Sequence, residues 1–388
     1  MPSRRRPVPL LALAAALALP AAARGAPPKI GVINSITGPE APIGEHMTNG
    51  IKLALEDLKA AGKELQVVWE DDAGKPPVAM SAFEKLATRD EVLAVVGPYS
   101  SAAANVTARV ADRARVPLLI PLASKEEITR QGYQWVFRLS PTTADRAAAL
   151  IDMALALGEP RTVAILNEST DFGSSVARSA RAYAEDMKLK VVFEASYSKG
   201  SPDFRATLVQ VRLARPDLVI MGSYVVDAIL VMRQAREVGL APQAFLGAGA
   251  GFALSQFAQE REVSENVYSS VEWAGDVAWP GAADFARRYQ QRFGRPPTYH
   301  SSGGYQSTMI IADVAYRAGG DRSRVRALLR EGAWEGITGR VRFANWGGYQ
   351  NQNKQQMLVQ QVRGGKHETV WPPEVATARP IWPFPGWK

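Results

Sequence analysis

The 388-residue chain contains no cysteine. Disulfides, thiolate nucleophiles, thiolate metal sites and cysteine-linked lipid anchors are therefore excluded. Histidine is almost as scarce. His46, His300 and His367 lie far apart in sequence, which argues against a histidine-rich metal centre. Catalytic signatures are missing as well: there is no G-x-S-x-G elbow, no H-E-x-x-H helix and no P-loop. His46 begins a helix after the first strand, but one histidine without a partnered nucleophile builds no triad. Asp71-Asp72 follow a strand and read as loop-capping groups rather than an acid–base pair. No enzyme activity, no metal and no cofactor is expected.

A dense basic block is also lacking, despite a formal charge of +8. Arg4, Arg5 and Arg6 precede an apolar run at 8–23, and Ala21-Ala22-Ala23 offers a small-residue cleavage site. A cut after Ala23 removes those three arginines and no acids, so the formal charge falls to +5. The remaining cations are scattered among Asp and Glu, so no nucleic-acid partner is expected. Residues 1–23 read as a signal peptide, and the periplasm as the destination. No later run reaches the roughly 18 apolar residues of a membrane span.

What the chain does have is alternation, with 46% hydrophobic residues arranged in short aliphatic runs and amphipathic stretches. Strands are expected at 29–33, 65–69, 92–96 and 118–120, interleaved with helices at 44–61, 78–88 and 102–114. The rhythm restarts with strands at 162–166, 190–194, 218–221 and 244–246, and helices at 174–186, 204–214 and 226–238. Helices are then expected at 282–293, 304–318 and 325–331, and a last strand at 357–362. The strands are too uniformly apolar to face water, which predicts parallel sheets covered on both faces. Two Rossmann-like α/β lobes are expected rather than one growing sheet. Asn351-Gln352-Asn353 reads as a solvated surface turn, and the proline-rich end after Pro372 as a surface strap.

The order of several motifs resembles the type I periplasmic binding proteins, specifically the branched-chain amino acid (Leu/Ile/Val) receptors of ABC importers. The matching residues begin with Ile30-Gly31-Val32, Thr37-Gly38-Pro39 and Asn49-Gly50. They continue through Val96-Gly97-Pro98-Tyr99-Ser100-Ser101, Pro121-Leu122-Ala123-Ser124, Phe137-Arg138, Asp171-Phe172-Gly173 and Gly336-Ile337-Thr338-Gly339. The resemblance implies a hinge of three crossovers. It puts 29–140 with 275–345 in the first lobe, and 141–274 with 346–388 in the second.

It also implies a ligand cleft between the lobes. Ser100 and Ser101 start a helix after a strand, where hydroxyls and free N–H groups suit a carboxylate. Ser101 matches the family's principal carboxylate-binding serine. Ser124 matches a second contact, Leu122 a carbonyl that receives the ligand's amine, and Ile43 a pocket wall. Phe172 and Tyr224 match aromatic positions that cover the ligand from the second lobe. The departure is Gly249, which stands where amino acid receptors place an acid against the ligand's ammonium. Either Glu272 or Asp171 replaces it, or the ligand carries no amine. Trp273, beside the second crossover, reads as a cleft wall or a hinge wedge.

The function implied is an exported solute receptor delivering its ligand to ABC permease transmembrane subunits. Leucine, isoleucine and valine lead by family frequency. The alternatives are an aromatic or branched aliphatic carboxylate or amide without the amino group, and a ligand-sensing module of a signalling system.

Overall fold

A computed structural model describes residues 26–387. The expected signal peptide lies outside these residues. Two seven-stranded sheets form the framework of two α/β lobes. In the first sheet, strand Lys29–Asn34 lies one in from the edge, between the edge strand Gln66–Asp71 and Val95–Val96. Leu118–Ile120, Val136–Arg138, Tyr349–Gln352 and Ala344–Trp346 complete the order outward. Alternate side chains serve opposite faces, as the two-residue period requires. Ile30, Val32, Val96, Leu119 and Phe137 share one core with helix Ala41–Ala60, whereas Ile33, Val95, Leu118, Ile120 and Val136 share another with helices Pro76–Thr88 and Ser101–Ala114.

The second sheet repeats the plan with Lys190–Tyr197, Thr162–Glu168, Leu218–Gly222, Ala244–Gly247 and Tyr268–Val271, all parallel. The central strands of both sheets are parallel, as expected, and antiparallel strands are added at one edge of each. Leu358–Arg363 adds antiparallel to Tyr268–Val271 and turns into Lys366–Trp371, while Ala344–Trp346 runs antiparallel to Tyr349–Gln352 in the first sheet. These additions come from the last part of the chain, where tight turns at Gly347-Gly348 and Gly364-Gly365 allow hairpins without a crossover helix.

The chain passes between the sheets three times: after Arg138, after Val271 and after Gln352. The last passage lies beyond the expected boundary at 346. Its reason is polar. Asn351, Gln352 and Asn353 are buried rather than solvated. Asn351 donates to the Val136 carbonyl at 3.1 Å, Gln352 to the Ser140 carbonyl at 2.9 Å and Asn353 to the Leu139 carbonyl at 3.1 Å. Arg138 Nε donates to Gln352 Oε1 at 2.5 Å. These side chains hold the third passage against the first, satisfying buried backbone that would otherwise lack partners.

Two elements that position the cleft were not among those expected from the sequence. They are helix Thr143–Leu157, opened by a capping box between Thr142 and Asp145, and strand Tyr268–Val271. Helix Tyr299–Ala318 packs closely on Ala41–Ala60 because Gly50 has no side chain; a Cβ there would meet the Ser301 carbonyl oxygen at 1.9 Å. That approach brings Tyr299, at the helix start, to the cleft. The terminal strap lies on the second lobe, with Trp387 Nε1 donating to the Leu240 carbonyl at 2.7 Å.

Candidate functional site

Between the lobes, at the carboxyl ends of the strands, lies a small cavity lined by Tyr99, Ser101, Leu122, Ala123, Ser124, Arg146, Phe172, Tyr224, Ala250 and Tyr299. Its free volume is about 10 Å³, room for little more than one water. A ligand therefore enters only as side chains move or the lobes part.

The first-lobe wall is built on a helix start. Ser100 Oγ accepts from the Ala103 N–H at 3.2 Å and caps helix Ser101–Ala114, so Ser100 supports the wall rather than lining it. Ser101 is the first helical residue, and its Oγ accepts from the Lys125 N–H at 3.3 Å. With Ser124 it places two hydroxyls beside the positive end of the helix dipole.

The second-lobe wall is aromatic. Phe172 sits in the first turn of helix Asp171–Asp186 and stacks on Tyr224, with centroids 5.6 Å apart. Tyr224 faces Tyr99 of the first lobe at 6.1 Å. Behind it, the Tyr224 N–H donates to Glu168 Oε1 at 2.8 Å. Burial pushes the Glu168 carboxyl from 4.5 up to about 8, against the pull of that hydrogen bond. Lys199 lies 4.8 Å from the Tyr224 centroid and reaches across the cleft to Glu40 Oε1 at 2.6 Å. Asp171 pairs with Lys125 at 2.7 Å, a second bridge between the lobes. It is thus engaged by a protein cation and does not line the cavity.

Arg146 carries the sharpest electrostatic feature. Only 1% exposed, it projects from helix Thr143–Leu157 and bonds through Nη2 to Glu272 Oε2 at 2.7 Å. Its guanidinium also lies over the Tyr299 ring, 4.9 Å from the centroid, and Tyr299 Oη accepts from the Ala250 N–H at 2.8 Å. Burial disfavours the Arg146 charge, but the Glu272 carboxylate outweighs it and raises the pKa. Glu272, the expected substitute acid, is engaged by this ion pair and is not among the lining residues. Gly249 has a φ of +73°, and a Cβ there would lie 2.6 Å from Arg146 Nη1. The glycine is needed twice, for its backbone angle and for the guanidinium beside it.

Of the expected site residues, Ser101, Leu122, Ser124, Phe172 and Tyr224 come together on the cavity. Ile43 is buried in the first lobe and does not line it. Trp273 is buried and does not line this cavity; its Nε1 donates to the Ile337 carbonyl at 3.0 Å and its ring meets Phe285 edge-on. His46 is interior too, within 3.2 Å of both Ser301 Oγ and Tyr289 Oη. Sequence reasoning missed Tyr99, Ala123, Arg146, Ala250 and Tyr299 as lining residues. A signal for Arg146 existed, since it shares a helical face with Leu150 and Met153 and so had to be buried. A larger groove of about 730 Å³ flanks the hinge near Trp273, Asp276, Thr298 and Gln360, and shares Tyr299 with the cavity.

Residues 27–366 match the family model described as periplasmic binding protein. The Leu/Ile/Val-binding protein homolog 7 of Brucella suis is 28% identical over 387 residues, covering 95% of this chain and 97% of its own. A leucine binding protein from Thermotoga maritima superposes with a TM-score of 0.81 at 22% identity, covering 88% of this chain and 97% of its own. A solute binding protein of an ABC transporter from R. palustris, in complex with benzoate, superposes at 0.79 with 18% identity, covering 92% and 97%.

Proposed function

This chain belongs to the periplasmic binding protein family, and we propose on that premise that it is the exported solute receptor of an ABC importer, binding a small carboxylate without an amino group. The observation that carries the reading is the guanidinium of Arg146 beside Gly249. By the family resemblance, an amino acid's ammonium needs an acid at that point. Here a cation occupies the neighbourhood, and the nearest acid, Glu272, already neutralises it. An ammonium placed there would be buried without a counter-charge and close to a positive group.

The rest of the cavity suits an apolar acid. Ser101 and Ser124 offer hydroxyls to a carboxylate at the helix start, and Tyr99, Phe172, Tyr224 and Tyr299 offer flat apolar surface. Capture by the first lobe would be followed by closure of the second, with the Lys199–Glu40 and Lys125–Asp171 bridges formed in the closed state that a permease receives. Likeness of fold does not choose the ligand, since the same architecture carries leucine in one relative's name and benzoate in another's complex.

A second reading, a hydrophobic amino acid, is favoured by Glu272 Oε1, which has no partner among the described residues, and by the Leu/Ile/Val-binding names of the curated relatives. Calorimetric titration of protein stripped by unfolding and refolding separates the two. Leucine, 4-methylpentanoate and benzoate are the probes. Binding of either amine-free acid with leucine silent is the expected result; leucine binding alone would reverse the assignment.

A further inference from the structure

The groove of about 730 Å³ lies beside the ligand cavity and shares one ring with it, that of Tyr299. Its size is that of a small-molecule site. Both lobes build it. Pro296, Pro297 and Tyr299 come from the start of helix Tyr299–Ala318, which packs on the first lobe, whereas Arg261, Gln360 and Lys366 come from the second.

The two walls differ in chemistry. The first-lobe prolines, with Trp273 on the passage between the lobes, give flat apolar surface. The second-lobe wall gives donors. Gln360 is only 9% exposed and lines the groove, and its side chain has no hydrogen-bond partner among the described residues. Strand pairing fixes its place, opposite Ser269 on one neighbour and Thr369 on the other. An amide buried so deeply ordinarily has a partner. Arg261 lies against the turn at Gly365, where a Cβ would meet its Nε at 2.7 Å, and Lys366 is the next residue. Neither cation has an ion-pair partner among the described residues. The acids around them are engaged elsewhere: Glu260 with Arg233 at 3.2 Å, Glu262 with Arg236 at 2.8 Å and Glu368 with Arg363 at 3.0 Å. Glu265 accepts from the Gly364 N–H at 3.0 Å. Asp276, which lines the groove, accepts from Thr369 and Thr377 through its two oxygens. Two cations and a free amide therefore face no free acid, and that imbalance sets the charge of an occupant.

We infer that this groove is a second ligand site, taking an amphipathic organic anion. Its acid group lies at Gln360, Arg261 and Lys366, and its apolar body against Pro296, Pro297 and Trp273. Such a ligand touches both lobes. It also fixes the Tyr299 ring, whose hydroxyl accepts from the Ala250 N–H of the other lobe. It therefore favours the closed arrangement and couples to whatever the cavity holds. The inference goes beyond the receptor reading and is independent of which acid or amino acid fills the cavity.

Octanoate is the probe, titrated by calorimetry into the stripped protein. One molecule should bind per chain, and octanamide, of the same shape without the charge, at least about tenfold more weakly. The variant Arg261→Glu/Lys366→Glu should weaken octanoate by at least about tenfold, and Gln360→Leu by a smaller factor. Both charged positions are exposed, so the fold should survive their reversal; circular dichroism and thermal melting check it, with Arg261→Ala/Lys366→Ala in reserve. Saturating leucine, 4-methylpentanoate or benzoate should leave octanoate bound. Whichever of them fills the cavity should itself bind at least about threefold more tightly when octanoate is present. No octanoate binding, equal affinity in the folded charge variant, or displacement by a cavity ligand overturns the inference. Unchanged affinity at the cavity overturns the coupling. Which cavity ligand binds decides the receptor reading and leaves the groove untouched.

Discussion

The first lobe meets the cleft with hydroxyls and a helix start, whereas the second meets it with stacked rings and a guanidinium held by its own carboxylate. The first wall is built at strand ends, where Ser100 caps the helix that Ser101 begins and Ser101 Oγ accepts from the Lys125 N–H next to Ser124. The second needs distant segments. Phe172, Tyr224, Arg146 and Glu272 come from four separate elements and are fixed by packing across the lobe. On the proposed reading, the first wall would anchor an acid and the second would cover it with rings.

Breaking the second wall should have the largest effect. Arg146→Met leaves the Glu272 carboxylate buried without its cation, and should destabilise the protein by about 3–5 kcal/mol in urea unfolding. Adding Glu272→Leu should recover most of that loss, because the charges then leave together. No recovery would show that the arginine's packing, not the ion pair, holds the wall.

Next in size is Glu168, behind Tyr224. Its folded pKa of about 8 exceeds the ordinary 4.5, so the folded state keeps a proton that the unfolded chain releases between those values. The contribution to stability is fully present below 4.5 and is lost as pH rises to about 8, with no further change above. Glu168→Gln should abolish this slope. Melting temperatures between about pH 5 and 9 should therefore show the variant gaining on the wild type up to pH 8 and then running parallel. Parallel curves throughout would place the carboxyl in its ordinary range.

The smallest effects sharpen the contrast between walls. Tyr224→Ala should weaken an aromatic acid and its neutral amide alike, by about 2–3 kcal/mol, since the ring supplies area rather than charge recognition. Ser101→Ala should weaken the acid by about 1–3 kcal/mol and the amide by less, if the hydroxyl is buried against the carboxylate. Calorimetry on the two ligands gives both differences. Equal losses for acid and amide in Ser101→Ala would take the carboxylate away from the first wall.

Strands buried on both faces were readable to within a few residues, because their apolar runs have no other home. Helix starts were read late. The helices at 171, 299 and 322 begin three to five residues before the first clear apolar period, in turns whose polar residues cap them. Tyr299 was lost in such a turn. Arg146 was lost because a charge inside an alanine-rich helix reads as surface unless its partner is known, and Glu272 is 126 residues away. Asn351 to Asn353 misled in the same way. A polar triplet between hairpin strands suggests water, yet here it serves backbone carbonyls from 136 to 140. The cavity's first wall was legible because it is local chemistry; its second was legible only in the rings.

The late hairpins also set a timetable. Neither sheet is complete when the chain has been synthesised as far as its second passage. The first lobe waits for residues 344–352, and the second for Leu358–Arg363 and Lys366–Trp371. Until then strand Tyr268–Val271 presents an open edge, a surface on which growing chains can pair wrongly. Both lobes therefore mature within the last tenth or so of the chain, and a product stopped at residue 340 would have two unfinished domains instead of one finished one.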